Sequence, residues 1–134
     1  MNQPDHKRVH VICSKEATDG IDKMLRELGY KPTYEIPAHP TISWEVARAH
    51  FEATLHAWEE AATLIIDLDF AKSFEFGVAL GYMMARGRTL IGYKSMGADG
   101  TDFRALEAMF IVKDMEQLRK VMDTLHDANE RRKP

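Results

Sequence analysis

The sequence predicts an α/β fold, a three-layer sandwich on a five-stranded parallel sheet. Three observations carry that prediction. Short, β-branched apolar runs alternate with helix-period stretches from one end of the chain to the other. The run Thr63-Leu64-Ile65-Ile66-Asp67-Leu68-Asp69 is nearly all apolar until its end, as expected of a central parallel strand covered on both faces. A chain of 134 residues, 45% hydrophobic and 29% charged, suits one domain, 1–134, with a real core.

Taken in order, Val9-His10-Val11-Ile12-Cys13 reads as the first strand. From about Thr18 to Leu28 the apolar positions Ile21, Met24, Leu25 and Leu28 are spaced as on a helix, and Gly29 is its stop. Thr33 to Ile36 forms a second strand bracketed by Pro32 and Pro37. After the loop Ala38-His39-Pro40-Thr41-Ile42, Ser43 caps a helix reaching about Ala62, with Val46, Ala49, Phe51, Leu55 and Trp58 as its apolar members. The third strand, Thr63–Asp69, feeds a helix from about Ser73 to Arg86, ended by Gly87. Thr89–Tyr93 is the fourth strand. A loop with Gly97 and Gly100 and a short helix, Phe103–Met109, lead to the last strand, Phe110–Val112. A helix from Asp114 to about Asn129 completes the fold, and Glu130–Pro134 is a solvated tail. Strands and helices in alternation imply right-handed crossovers and a Rossmann/flavodoxin-like sheet. Such sheets place a ligand crevice at their carboxyl edge, here just after Cys13, Ile36, Asp69 and Tyr93.

Composition excludes several classes. A net charge of -3 without a broad basic stretch argues against a nucleic-acid polymer as partner. One cysteine, Cys13, permits no internal disulfide and suits a reducing, cytoplasmic setting. No apolar run is long enough for a membrane span, and the N-terminus shows no signal-peptide pattern. Dinucleotide and P-loop glycine motifs are missing. After the first strand there is neither the hydroxyl-rich phosphate loop of a flavodoxin nor the acidic cluster of a response-regulator receiver. The histidines lack zinc spacing and Asp67-Leu68-Asp69 lacks a third ligand, so neither a metal nor a cofactor is expected.

The strongest chemical signal is Asp67-Leu68-Asp69-Phe70-Ala71-Lys72-Ser73-Phe74-Glu75-Phe76-Gly77. It puts three carboxylates at the predicted crevice, and Asp67 and Asp69 share a side if the strand persists. Glu75 falls in a helix's first turn, where unpaired N–H groups and the dipole favour its ionised form. That is ordinary capping chemistry, and it is also what a carboxylate nucleophile at a sugar carbon needs. Gly77, Gly81 and Ala85 form a small-residue stripe. Close packing on the sheet accounts for Gly81, and Gly77, nearer the crevice, gives a ligand room. Among the aromatic residues, Phe70 and Trp44 are the best placed to stack on a base. His39, at the carboxyl end of the second strand, fits a surface position or a ligand contact.

Asp69, Glu75, Gly77 and Val78-Ala79-Leu80-Gly81-Tyr82, with the turn Arg86-Gly87-Arg88 into Thr89–Tyr93, resemble the nucleoside 2-deoxyribosyltransferase family and its nucleotide N-glycosidase relatives. The resemblance covers roughly Trp58 to Met109. It implies cleavage or transfer of the N-glycosidic bond of a nucleoside or its 5′-monophosphate, with Glu75 as nucleophile. Asp69 would contact base or sugar, or assist protonation of the leaving base. Lys15, Lys72 and Ser73 would suit a 5′-phosphate, with Asp67, Ser14, Gly77, His39 and Phe70 lining the rest of the site. Members of the family commonly complete their sites across a subunit interface, which implies a homodimer or larger assembly, with the neighbour contributing from Gly100–Met109. A non-catalytic nucleotide-binding or sensing domain using the same crevice is the competing expectation.

Overall fold

The computed structural model describes residues 5–35, 44–67, 74–93 and 110–131. Nine elements follow one another: β1 (Asp5–Ile12), α1 (Lys15–Glu27), β2 (Lys31–Glu35), α2 (Trp44–Glu60), β3 (Ala61–Asp67), α3 (Phe74–Ala85), β4 (Thr89–Tyr93), β5 (Phe110–Val112) and α4 (Met115–Arg131). The strands form one five-stranded sheet in the order β2-β1-β3-β4-β5, and every pairing is parallel. The predicted fold class is therefore the observed one. The short helix expected at Phe103–Met109 lies outside the described residues.

Strand alternation divides the core into two layers. Val9, Val11 and Ile65 face α1 and α4, packing on Ile21, Met24, Leu25, Leu118 and Met122. Ile12, Leu64 and Ile66 point to the other side, where Trp58, Ala79, Leu80 and Met83 cover them. Two sheet faces, each roofed by two helices, make the three layers. They also explain why β3 is nearly all apolar.

Local chemistry sets most boundaries. Ser14 caps α1, its hydroxyl accepting from the Ala17 N–H at 3.3 Å. Both glycine stops take the same form. Gly29 (φ +92°) ends α1 with Gly29 N–H donating to Arg26 O and Tyr30 N–H to Leu25 O. Gly87 (φ +69°) ends α3 with Gly87 N–H donating to Met84 O and Arg88 N–H to Met83 O. Each pair of bonds closes a Schellman turn, whose left-handed residue favours glycine.

Three sequence expectations need correction. Pro32 does not bound β2 but lies inside it, which an edge strand tolerates because an N–H on the open side is not needed. Ala49 and Phe51, assigned to the inner face of α2, are exposed, Phe51 at 50%. Gly81 is not required by close packing, since a Cβ built there would meet nothing within 4 Å.

Candidate functional site

The carboxyl edge is where the topology gathers the candidate residues. Its register aligns Ile12 with Glu35 on one side and Ile66 on the other, and Asp67 with Tyr93. Asp67 is the last residue of β3, only 7% exposed, and engaged in interactions of its own. Its charge reaches Cys13, the residue after β1, which is fully buried. Burial pushes the Cys13 thiol above its ordinary value. The Thr18 hydroxyl, 3.6 Å from Sγ, opposes that shift, and the nearby Asp67 charge adds to it. The thiol is therefore held neutral, as a packing group and not a nucleophile.

The other sequence-derived candidates divide into three groups. Ser14 and Lys15 stand at the β1–α1 corner, but the Ser14 hydroxyl is already occupied as the α1 cap. Glu75 and Gly77 belong to α3, Glu75 as its second residue, so the expected first-turn position is met by the backbone. The Glu75 side chain is not among those described. His39, Asp69, Phe70, Lys72 and Ser73 lie outside the described residues. Among the described residues no group of three or more His, Cys, Asp or Glu side chains could hold a metal ion. None of the described helices is long and apolar enough to cross a membrane.

A second polar centre, on the α2 side of the sheet, escaped the sequence reading. His10, within the first strand, is 2% exposed with both ring nitrogens engaged. Nδ1 lies 2.8 Å from Thr33 Oγ1 and Nε2 lies 3.1 Å from Glu35 Oε1. The Trp58 indole N–H donates to the same carboxylate oxygen at 3.1 Å. Glu35, 8% exposed, thus joins β1, β2 and α2 through one buried oxygen. A histidine among β-branched residues, in phase with Ile12 on the covered face, was the available signal.

With this geometry in hand, three comparisons bear on what the chain is. No family model matches it, and no curated protein matches it. Among solved structures it resembles the receiver domain of the sensor histidine kinase PA1611 from Pseudomonas aeruginosa PAO1, whose structure has a magnesium ion coordinated in the active site cleft. The TM-score is 0.59 at 14% sequence identity, over 92% of this chain and 99% of that one. At that identity the likeness establishes the fold and supports the flavodoxin-like architecture.

These findings overturn the glycosidic reading. The resemblance to nucleoside 2-deoxyribosyltransferases has no support from a family model or a relative, and the solved structure described above is the receiver domain of a sensor histidine kinase. The nucleophile role of Glu75, transferase or hydrolase activity, and the alternative of nucleotide sensing go with it. So does the nucleoside or nucleotide partner, together with the shared-site oligomer built on it. The physical reason is that an acidic strand end leading into a Glu-x-Gly helix start serves any parallel α/β sheet. Helix-start electrostatics produce that pattern without a sugar to bind.

Proposed function

We propose that this chain is a receiver-fold signalling module that acts by contact with a protein partner at its carboxyl edge, without metal-assisted phosphoryl transfer. The observation that carries the proposal is the β1–α1 corner. Where the sequence would need an acidic cluster to behave as a phosphorylated receiver, it has Cys13 and Ser14, one a neutral buried thiol and the other a helix cap. Magnesium takes an octahedral set of hard oxygens, usually one or two carboxylates with waters. A neutral thiol and a committed hydroxyl beside Asp67 do not fit that ion.

The partner reading draws on charge. Asp69 follows the end of β3 in sequence and Glu75 is the second residue of α3, so this corner favours a basic protein surface. Lys15, Lys72, Ser14, Ser73, Gly77, His39 and Phe70 remain candidates for the rim of the contact. We take the whole chain, 1–134, as one domain, and place it in the cytoplasm, where its one thiol stays reduced.

The test uses purified chain with acetyl phosphate and magnesium, followed by intact-mass measurement. In parallel, its binding to purified dimerisation and phosphotransfer domains of histidine kinases is measured with and without the phosphoryl donor. The expected result is no mass gain, and binding that ignores the donor but weakens in Glu75→Arg. A phosphoryl group retained by the wild type and lost in Asp67→Asn would overturn the proposal, as would no binding to any domain of the panel.

A further inference from the structure

We infer that His10, Thr33, Glu35 and Trp58 form a proton-binding clasp whose charge state sets how α2 is held against the sheet. The inference does not depend on the partner proposed above, because the clasp lies on the α2 face of the sheet.

The network is built to hold either protonation state of the ring. With a neutral imidazole, the Thr33 hydroxyl donates to Nδ1, and Nε2–H donates to Glu35 Oε1 across 3.1 Å. A proton arriving from solvent goes to Nδ1. Thr33 Oγ1, 2.8 Å away, then turns from donor to acceptor, and its own hydrogen is redirected to the Val9 carbonyl at 3.5 Å. No donor is stranded in either state. A hydroxyl that can reverse its role is the feature that a merely packed histidine lacks.

Charge is what differs between the two states. With neutral His10 the interior holds a lone carboxylate, supported by two neutral donors. With protonated His10 it holds a neutral pair. A buried charge is tolerated to the extent that it is paired and hydrogen-bonded, so uptake of the proton secures the carboxylate that Trp58 grips. Few other charges compete. On the same face β1 contributes Ile12, β3 contributes Leu64 and Ile66, and the described core residues of α3 are Ala79, Leu80 and Met83, all apolar. Tyr82 of α3 packs against Trp58 with ring centroids 5.7 Å apart, donates to Glu59 at 3.5 Å and has the Arg86 guanidinium 5.2 Å over its ring, while Arg8, Glu60 and His56 are engaged with one another. Arg8 lies 3.3 Å from Glu60 Oε2, and His56 lies 3.0 Å from Glu60 Oε1.

Trp58 is itself the reporter. The chain has two tryptophans, so Trp44→Phe leaves its indole alone, and His50→Gln with His56→Gln in the same background removes both histidines of α2. Acidifying this protein should alter Trp58 emission about twofold in one transition. Far-UV circular dichroism should stay constant throughout. Adding Glu35→Gln should flatten the transition while the protein stays folded. If that variant does not fold, nitrogen-15 NMR of the parent decides: the His10 ring nitrogens and the Trp58 indole N–H should shift with one shared midpoint. The inference is overturned if emission is flat, if the transition survives Glu35→Gln, or if the indole resonance stays fixed while His10 titrates. A His10 ring that keeps one protonation state across the titration would overturn it equally.

Discussion

Replacing Tyr30 with phenylalanine tests how α4 is tied to the sheet. The Tyr30 hydroxyl donates to the Met122 carbonyl at 2.6 Å, a buried bond between residues 92 apart in sequence. Tyr30 is 4% exposed, and its ring meets the His126 ring edge-on with centroids 5.9 Å apart, a contact phenylalanine keeps. Met122 lies well inside α4, so its carbonyl retains the helical bond from four residues on when the hydroxyl is gone. No acceptor is orphaned, and the loss reduces to the bond itself. A net hydrogen bond contributes about 1 kcal/mol, and the short, buried geometry favours the upper half of the range, about 1–1.5 kcal/mol. For a chain of this size that is roughly 3–6 °C in Tm. Equilibrium urea unfolding should show a lower midpoint with an unchanged slope. A loss below about 0.3 kcal/mol would mean the bond adds nothing over water, and one above about 3 kcal/mol would mean the carbonyl is orphaned after all. Either value refutes the reasoning.

The same hydroxyl gives a pH prediction. Burial, helped by the charges of Asp123 and Asp127, pushes Tyr30 up to about 12, so its contribution is whole below the ordinary tyrosine value near 10 and lost as pH climbs through about 12. Absorbance titration at alkaline pH should show a late phase that shrinks in Tyr30→Phe; an unchanged late phase would count against it. Ile65→Ala, at a 1% exposed position between β1 and β4, should cost about 2–5 kcal/mol by urea unfolding; under about 1 kcal/mol would mean β3 is not central. Two glycines should respond with opposite signs in thermal melts. Gly29→Ala forces a left-handed backbone at φ +92° and should cost about 1–2 kcal/mol, whereas Gly81→Ala, with open space inside a helix, should stabilise by about 0.5–1 kcal/mol. Equal signs would refute the conformational argument.

What the sequence made legible was what local rules decide. β4 and β5 fall on the predicted residues because each is a short apolar run with nothing ambiguous at its ends. α1 and α3 stop at Gly29 and Gly87 because a left-handed turn leaves little choice of residue. Starts were harder. α1 begins at Lys15, three residues before the predicted Thr18, since Ser14 as cap outweighs a polar first turn that offers no apolar period to read. β1 reaches back to Asp5 through a register irregularity before Val9, which pattern alone does not reveal. The His10 centre was invisible for a different reason. Its partners come from residues 23 and 25 positions away, on a neighbouring strand, and from a tryptophan read as plain core.

The two polar regions differ in what they require of the protein. Carboxylates at an open strand-to-helix corner are inexpensive, because solvent and helix-start N–H groups satisfy them whether or not a ligand ever arrives. An acidic sequence such as Asp69 and Glu75 ahead of and within a helix start therefore discriminates poorly among the functions one sheet can host, and the glycosidic reading rested on that weak signal. A carboxylate 8% exposed beneath a helix is another matter. An apolar residue of similar volume at Glu35 would often be as stable or more so, provided its donors were replaced with it. The chain instead keeps a carboxylate, an imidazole, a hydroxyl and an indole N–H in mutual contact, each one requiring the others.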